Sequence, residues 1–231
     1  MGQAARRRAA ASRRHATGEI RIRDAAPGEG QRVRHLLDRH VGGEDSDDAA
    51  ERIDSPHRPN SGLWIQLVAE RDGVIVGALT VGDVFGKPHI REQSVAAEMI
   101  GRHAELINLV VHPEARGHSL GRRLMAEAER RYTDAGYQLF SGEFVARRPH
   151  LRTYYEGAGF RVGKPGRMVV IVFGAQMVSP LQPHDDASLI WKVLSTGPII
   201  VDFSSVSGAE GTRLLEQAVL LGHNGAVVEG S

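Results

Sequence analysis

Gly117-His118-Ser119-Leu120-Gly121 is the stretch whose residue types and spacing bear most directly on chemistry. Two chemistries fit it. As G-x-S-x-G it has the pattern of a nucleophile elbow, where a serine on a sharp turn attacks an acyl carbonyl. As a glycine loop that opens a helix, it offers unpaired backbone N–H groups at a positive helix end, which suits an anion such as a pyrophosphate. The neighbouring elements decide how the loop is presented. Upstream, the apolar run Leu106 to Val111 reads as a strand and stops at His112-Pro113. Downstream, a helical pattern starts near Ser119, with Leu120, Leu124 and Ala128 on one face and Arg122, Arg123, Glu127 and Arg130 elsewhere.

The hydrolase reading can be completed in the order Ser119, Asp202, His223, because Asp202 follows the apolar Ile199 to Val201. Three features oppose it. An elbow serine follows its strand directly, whereas His112 to Arg116 intervene here. The residue after the second glycine is normally small, and here it is Arg122. No HGGG-like oxyanion segment lies upstream.

Composition narrows the remaining classes. The chain has 231 residues, 41% hydrophobic and 25% charged, ordinary values for a globular protein of one large domain or one domain with an appendage. No apolar run approaches the roughly 20 residues that span a bilayer, and no secretion signal is visible, so a cytoplasmic home is expected. The absence of cysteine excludes disulfides and thiolate metal sites, and the scattered histidines have no metal-ligand spacing. The net charge of +1 hides an asymmetry: five of the 29 bases, all arginines, lie in residues 1–18 without any acid, which leaves 24 bases against 28 acids in the body. A nucleic-acid-binding body would be basic, so that partner is not expected. Residues 1–18 read as a disordered basic tail.

Glu19 to Arg23 alternates as a first strand, and Pro27-Gly28 ends it. Val33, Leu36 and Leu37 give Gln31 to His40 a helical spacing. Glu44, Asp45, Asp47, Asp48, Glu51 and Asp54 follow. They are either a solvated helix face or an acidic lip over a pocket for a cationic substrate. Leu63 to Glu70 and Val74 to Val81 are strands joined by Arg71-Asp72-Gly73, a hairpin. A short helix fits Ser94 to Ile100. After the central segment come a strand over Tyr137 to Val145, a helix over Arg152 to Glu156, and strands at Phe160 to Val162 and Met168 to Phe173. Pro180 to Pro183 reads as a linker. Beyond it Ser188 to Leu194, Ile199 to Phe203, a helix over Ala209 to Leu221 and Ala226 to Glu229 make a small unit, expected to pack on the main body or on a second copy in a homodimer.

Three segments in this order carry a family resemblance. Val110 to Leu124, VVHPEARGHSLGRRL, resembles the acyl-CoA loop V-x-P-x-x-R-G-x-G-x-G-x-x-L of the GNAT N-acetyltransferases. Tyr154 to Phe160, YYEGAGF, is similar to that family's late F-Y-E-K-x-G-F segment, and Ile20 to Pro27, IRIRDAAP, to its first strand. The resemblance covers residues 19–175. It implies an α/β (α+β) fold with a central mixed, mostly antiparallel sheet flanked by helices, followed by a small C-terminal α/β extension over 176–231. Ser119 stands where the family has its middle glycine. Arg148 stands where the family often has an asparagine, so that contact is not carried over; His150 and Arg152 are the neighbouring stand-ins.

The resemblance implies acetyl transfer from acetyl-CoA to a primary amine of a small-molecule acceptor, by direct transfer. The cofactor would be anchored by backbone N–H groups of Arg116, Gly117, His118, Ser119, Leu120 and Gly121, with Arg122 adding charge. Its pantetheine arm would pair with Leu109, Val110 and Val111. Tyr155 matches the family's usual acid for the leaving thiolate, and Glu105, opening the central strand, the carboxylate that some members use as base, often through water. Glu143 and Asp83 are further carboxylate candidates, and Tyr154 is expected in the core. A second reading keeps the fold and drops catalysis: an acyl-CoA-binding sensor or scaffold, motivated by Ser119 in the loop. No nucleic-acid, membrane or metal partner is implied.

Overall fold

A two-residue turn sets the register of the first strands. Asp72 and Gly73 both adopt positive φ, 51° and 78°, the pairing that a tight hairpin with right-twisted arms needs. It joins β2 (Ile65–Arg71) to β3 (Val74–Asp83), with Arg71 opposite Val74 and Ile65 opposite Val81. The computed structural model describes residues 18–41, 45–55, 62–85, 100–173 and 177–202. The other elements are β1 (Ile20–Asp24), α1 (Gly30–His40), α2 (Asp45–Asp54), β4 (His103–Val111), a 3-10 turn at Pro113–Ala115, α3 (Leu120–Asp134), β5 (Leu139–Val145), α4 (Pro149–Glu156), β6 (Arg161–Val162), β7 (Val169–Phe173), β8 (Met177–Leu181), β9 (Ala187–Val193) and β10 (Pro198–Asp202). Seven strands pair in the order β1-β2-β3-β4-β5-β9-β6, and three in the order β10-β7-β8. The β4–β5 ladder is parallel and most others are antiparallel, so the fold is the mixed, mostly antiparallel α+β sheet that the family resemblance implies.

The chain divides into two compact units: residues up to Gly82 with Ile107–Arg130, and Asp83–Leu106 with residues from Arg131 onward. In the first, Val33, Leu36 and Leu37 of α1 and Ala49 and Ile53 of α2 bury against Val68, Ala78 and Val110. The helical spacing of α1 predicts that face. Its N-terminus has no cap from its own chain start. Instead the Asp54 carboxylate accepts hydrogen bonds from the N–H groups of Gly28 (2.9 Å) and Gly30 (3.0 Å), which supplies the acceptor that a helix start requires.

Three carboxylates of the acidic stretch have partners within the chain, Asp54 among them. Asp47 pairs with Arg34 at 2.9 Å and Asp48 with Arg52 at 2.7 Å. The Arg52 guanidinium lies 3.3 Å from the Trp64 ring centroid, and that ring covers Gly82 so closely that a Cβ there would fall 2.4 Å from it. Asp54 is taken up by the start of α1, whereas the carboxylates of Asp47 and Asp48 pair and stay in solvent, as a solvated helix face does; Glu44 lies outside the described residues.

Arg23 bridges Glu29 and Glu70. The hydrogen bond from Arg23 is the main reason the Glu29 carboxyl falls from 4.5 to about 2. A carboxyl whose folded pKa is depressed stabilises the fold above its unfolded value and loses that contribution as pH falls through the folded one. Glu29→Gln is expected to cost about 1–2 kcal/mol at pH 7, discounted because both partners retain solvent contact. It should flatten the stability profile between pH 4.5 and about 2, as followed by urea unfolding.

In the second unit, Leu139, Val169, Ile171, Phe173, Leu189 and Trp191 share one core with Val84 and Phe85. Tyr132, Tyr137, Phe140, Phe160, Tyr155 and Phe144 form a chain of ring contacts. Strand placement differs here from the expected extension. The run foreseen at 188–194 is β9, inserted between β5 and β6, with Gly142 opposite Ile190 and Val162 also opposite Ile190. The run foreseen at 199–203 is β10, paired with β7. The supposed linker carries Pro180 within β8, opposite Val170. As the edge of its sheet, β8 tolerates a residue without an N–H donor. In that seat β9 is paired along both edges and buries Leu189, Ile190 and Trp191. The expected helix at 209–221, the strand at 226–229, nearly all of the helix at 94–100 and residues 1–17 lie outside the described residues.

Candidate active site

The loop after β4 is built by backbone geometry. The His112 N–H donates to Val76 at 2.8 Å, and the His112 ring accepts from the Glu114 N–H at 3.3 Å, which starts the 3-10 turn. Arg116 closes it: its N–H donates to Pro113 at 3.2 Å and its side chain to the Val111 carbonyl at 3.1 Å. Arg116 is thus removed from the set of open backbone donors that the resemblance implies, because its N–H is already used. Gly117 (φ 84°) and Ser119 (φ 54°) then take positive φ, and His118 between them does not. This alternation turns successive N–H groups toward one concavity.

Among the described residues no partner accepts the N–H groups from Gly117 to Arg122; the first helix bond runs from Arg123 to Ser119 at 3.0 Å. Arg122 is exposed at the same helix end. The arrangement can hold an anion by direct donation and by the helix dipole. Strand β4 continues past its ladder with β5, whose last registered pair is Leu106 and Gly142. Leu109, Val110 and Val111 therefore lie beyond that pairing. Val110 is buried, and Leu109 and Val111 are half-buried.

Ser119 also lacks what a nucleophile needs. Its hydroxyl is exposed and has no base hydrogen-bonded to it among the described residues, and the 3-10 turn separates it from the strand. His223 lies outside the described residues, as does the side chain of Asp202.

Tyr155 and Glu105 belong to the second unit. Tyr155 is buried on α4, stacked on Phe144 at 5.4 Å and edge-on to Tyr154 at 5.1 Å. Burial, with a smaller contribution from Tyr154, pushes its phenol above the usual tyrosine range, so it keeps its proton at every physiological pH. Glu105 is half-buried and lies opposite Ser141 across the parallel ladder. The Ser141 hydroxyl in turn meets the buried His103 ring at 2.7 Å.

Three other sequence candidates have partners within the fold. Asp83 is fully buried. It accepts from Phe85 N–H (2.8 Å), Gly101 N–H (2.7 Å) and the Tyr137 hydroxyl (2.7 Å). Those bonds make it a structural carboxylate, not a base. Arg152, a stand-in for the missing asparagine, donates to the carbonyls of Gly163 (2.8 Å) and Val162 (3.4 Å) and pairs with Glu156. It latches α4 to β6. Glu143 holds the exposed His184 through both its ring and its backbone N–H. Sequence reasoning missed this pair because 41 residues separate them. It also missed Asn108, whose one signal was a lone amide in the run LINLVV.

The acetyltransferase (GNAT) family model matches residues 31–160. No curated protein matches. Among solved structures, a GNAT-family protein from Desulfovibrio desulfuricans superposes with a TM-score of 0.53 at 20% identity, over 77% of this chain and 100% of its own. YncA from Salmonella typhimurium, solved with acetyl-CoA, gives 0.54 at 18% over 77% and 95%. YhbS from Escherichia coli, solved with CoA, gives 0.50 at 19% over 78% and 83%. At these identities the superpositions show the fold, and the family model, which spans more than half of the 231 residues, shows the lineage. The chain belongs to the acetyltransferase (GNAT) family and is an N-acetyltransferase.

Proposed function

We propose that the chain moves the acetyl group of acetyl-CoA directly to a primary amine of a small-molecule acceptor. The carrying observation is the row of N–H groups from Gly117 to Arg122, unpartnered among the described residues, at the head of α3. A pyrophosphate is the ligand that such a row fits. Acetyl-CoA supplies the activated acyl group. Gly117, His118, Ser119, Leu120 and Gly121 hold its phosphates through the backbone, and Arg122 adds a cation. Leu109, Val110 and Val111 offer a strand edge to the pantetheine arm, and YncA and YhbS, which share the fold, were solved with acetyl-CoA and CoA.

The incoming amine must lose a proton to become a nucleophile. Glu105, half-buried on β4, takes that proton directly or through water. The departing sulfur needs a hydrogen-bond donor. Tyr155 is a neutral phenol and donates its O–H. The exposed carboxylates of Asp47 and Asp48 favour a cationic acceptor, and a polyamine or aminoglycoside is one class to include in a panel of amines.

Calorimetry with acetyl-CoA tests the reading: binding is expected, and silence sinks it. If acetyl-CoA binds but no amine in a broad panel releases free CoA, a sensor or scaffold is the better description. Fluorophosphonate labelling of Ser119 would favour the hydrolase.

Tyr155→Phe is expected to lower kcat by about 100-fold, the lower end of the range for a single general acid, with acetyl-CoA affinity unchanged. In the wild type, kcat/KM should rise from about pH 6 toward pH 9 as the acceptor amine loses its proton. Because the Tyr155 phenol titrates above its usual range of about 10, no alkaline downturn should follow below that point. A downturn near pH 8 that disappears in Tyr155→Phe would contradict the burial argument.

A further inference from the structure

Asn108 is the lone polar side chain between Leu106 and Val111. It sits in the middle of β4 with 8% of its surface exposed. Its Nδ2 atom is buried without a hydrogen-bond acceptor among the described residues. Buried donors are almost always paired in native proteins, and one that is not calls for a reason. Strand-forming aliphatics occupy every neighbouring position, and a leucine of similar size would remove the cost of the buried amide.

The position of Asn108 supplies the reason. It lies beyond the last β4–β5 pair at Leu106 and Gly142, and it directly precedes Leu109–Val111, the segment proposed above for the pantetheine arm. The acyl-pantetheine arm is an oxygen-bearing ligand, with amide carbonyls along its length and a thioester carbonyl at its end. It offers the acceptor that Nδ2 lacks. Building on the transferase reading, we infer that Asn108 is a ligand-binding residue whose Nδ2–H donates to a carbonyl oxygen of the acyl-pantetheine arm. The donor is already desolvated and held by a strand, so little ordering is needed when the acceptor arrives.

The test uses the full chain with Asn108→Leu, and with Asn108→Val should leucine not fit. Thermal midpoint, calorimetric Kd for CoA and for acetyl-CoA, and kcat are measured on each. The midpoint should hold or rise by about 2–4 °C. If the acceptor is a pantetheine amide, Kd for CoA and acetyl-CoA should weaken together by about 10-fold. If it is the thioester carbonyl, CoA affinity should stay constant while kcat falls about 10-fold or more. A stable variant with both affinities and kcat within about twofold of wild type overturns the inference. So does a lowered midpoint in both variants, which would mean the amide is partnered in the free chain. Wild type that binds neither CoA nor acetyl-CoA overturns the transferase reading itself, a distinct outcome.

Discussion

Gly117→Val is expected to weaken acetyl-CoA binding by about 30-fold or more. The backbone at Gly117 sits at φ 84°, where an L-residue costs about 1–2 kcal/mol and a β-branched one more. No neighbouring atom lies within 4 Å of a Cβ built there, so the penalty is conformational and not a clash. The loop can relieve it only by rotating, which turns the N–H groups of Gly117 and His118 away from the concavity. Losing one charge-assisted hydrogen bond costs about 1.5–3 kcal/mol, and each 1.4 kcal/mol is tenfold in Kd. Ser119→Gly is the opposite experiment. Ser119 already carries positive φ, 54°, and glycine adopts that conformation without the Cβ penalty. That variant should raise stability by about 1 kcal/mol and bind acetyl-CoA at least as tightly. Calorimetric Kd on both variants decides the matter. Wild-type affinity in Gly117→Val would show that the phosphates do not bind there.

The largest stability effect is expected at Asp83. Asp83→Ala should lower stability by about 3–5 kcal/mol, because three buried donors lose their acceptor at about 1–3 kcal/mol each, and the thermal midpoint by about 10 °C. The removed carboxylate leaves the Phe85 and Gly101 N–H groups and the Tyr137 hydroxyl without their acceptor. Tyr137→Phe, which deletes one donor and leaves two, should cost about 1 kcal/mol. Differential scanning calorimetry on both variants gives the comparison. If Asp83→Asn instead kept the wild-type midpoint and lost turnover, Asp83 would be part of the chemistry and its structural assignment would fail.

The sequence was most legible where function is written locally. The hairpin at Asp72-Gly73, the helix face of Val33, Leu36 and Leu37, and the strand-loop-helix around Gly117 each follow from spacing within about ten residues. The loop motif foretold a glycine conformation at position 119, and Ser119 adopts it despite its side chain. What stayed hidden depends on partners far along the chain. Asp83 looked like one more strand-end carboxylate until Gly101 and Tyr137 were found on it. Arg152 looked like a ligand residue until Val162 and Gly163 took its guanidinium. The acidic stretch could not reveal that Asp54 serves a helix start 24 residues away. Strand order was the least legible of all. A run of apolar residues such as Ser188 to Leu194 states that it will be buried, but not between which strands.

The seat of β9 between β5 and β6 has a consequence for how the chain comes off the ribosome. Both of its ladder partners are synthesised before it, and neither can reach its native neighbour until residue 193 has emerged. Until then β5 presents an open edge on that side and β6, two residues long, has no partner across which to form. Exposed edges of this kind invite pairing with other chains, and contacts so far apart in sequence form late. Nascent chains halted before residue 187 should therefore be the aggregation-prone species, and full-length refolding should be slowest in the step that inserts this strand.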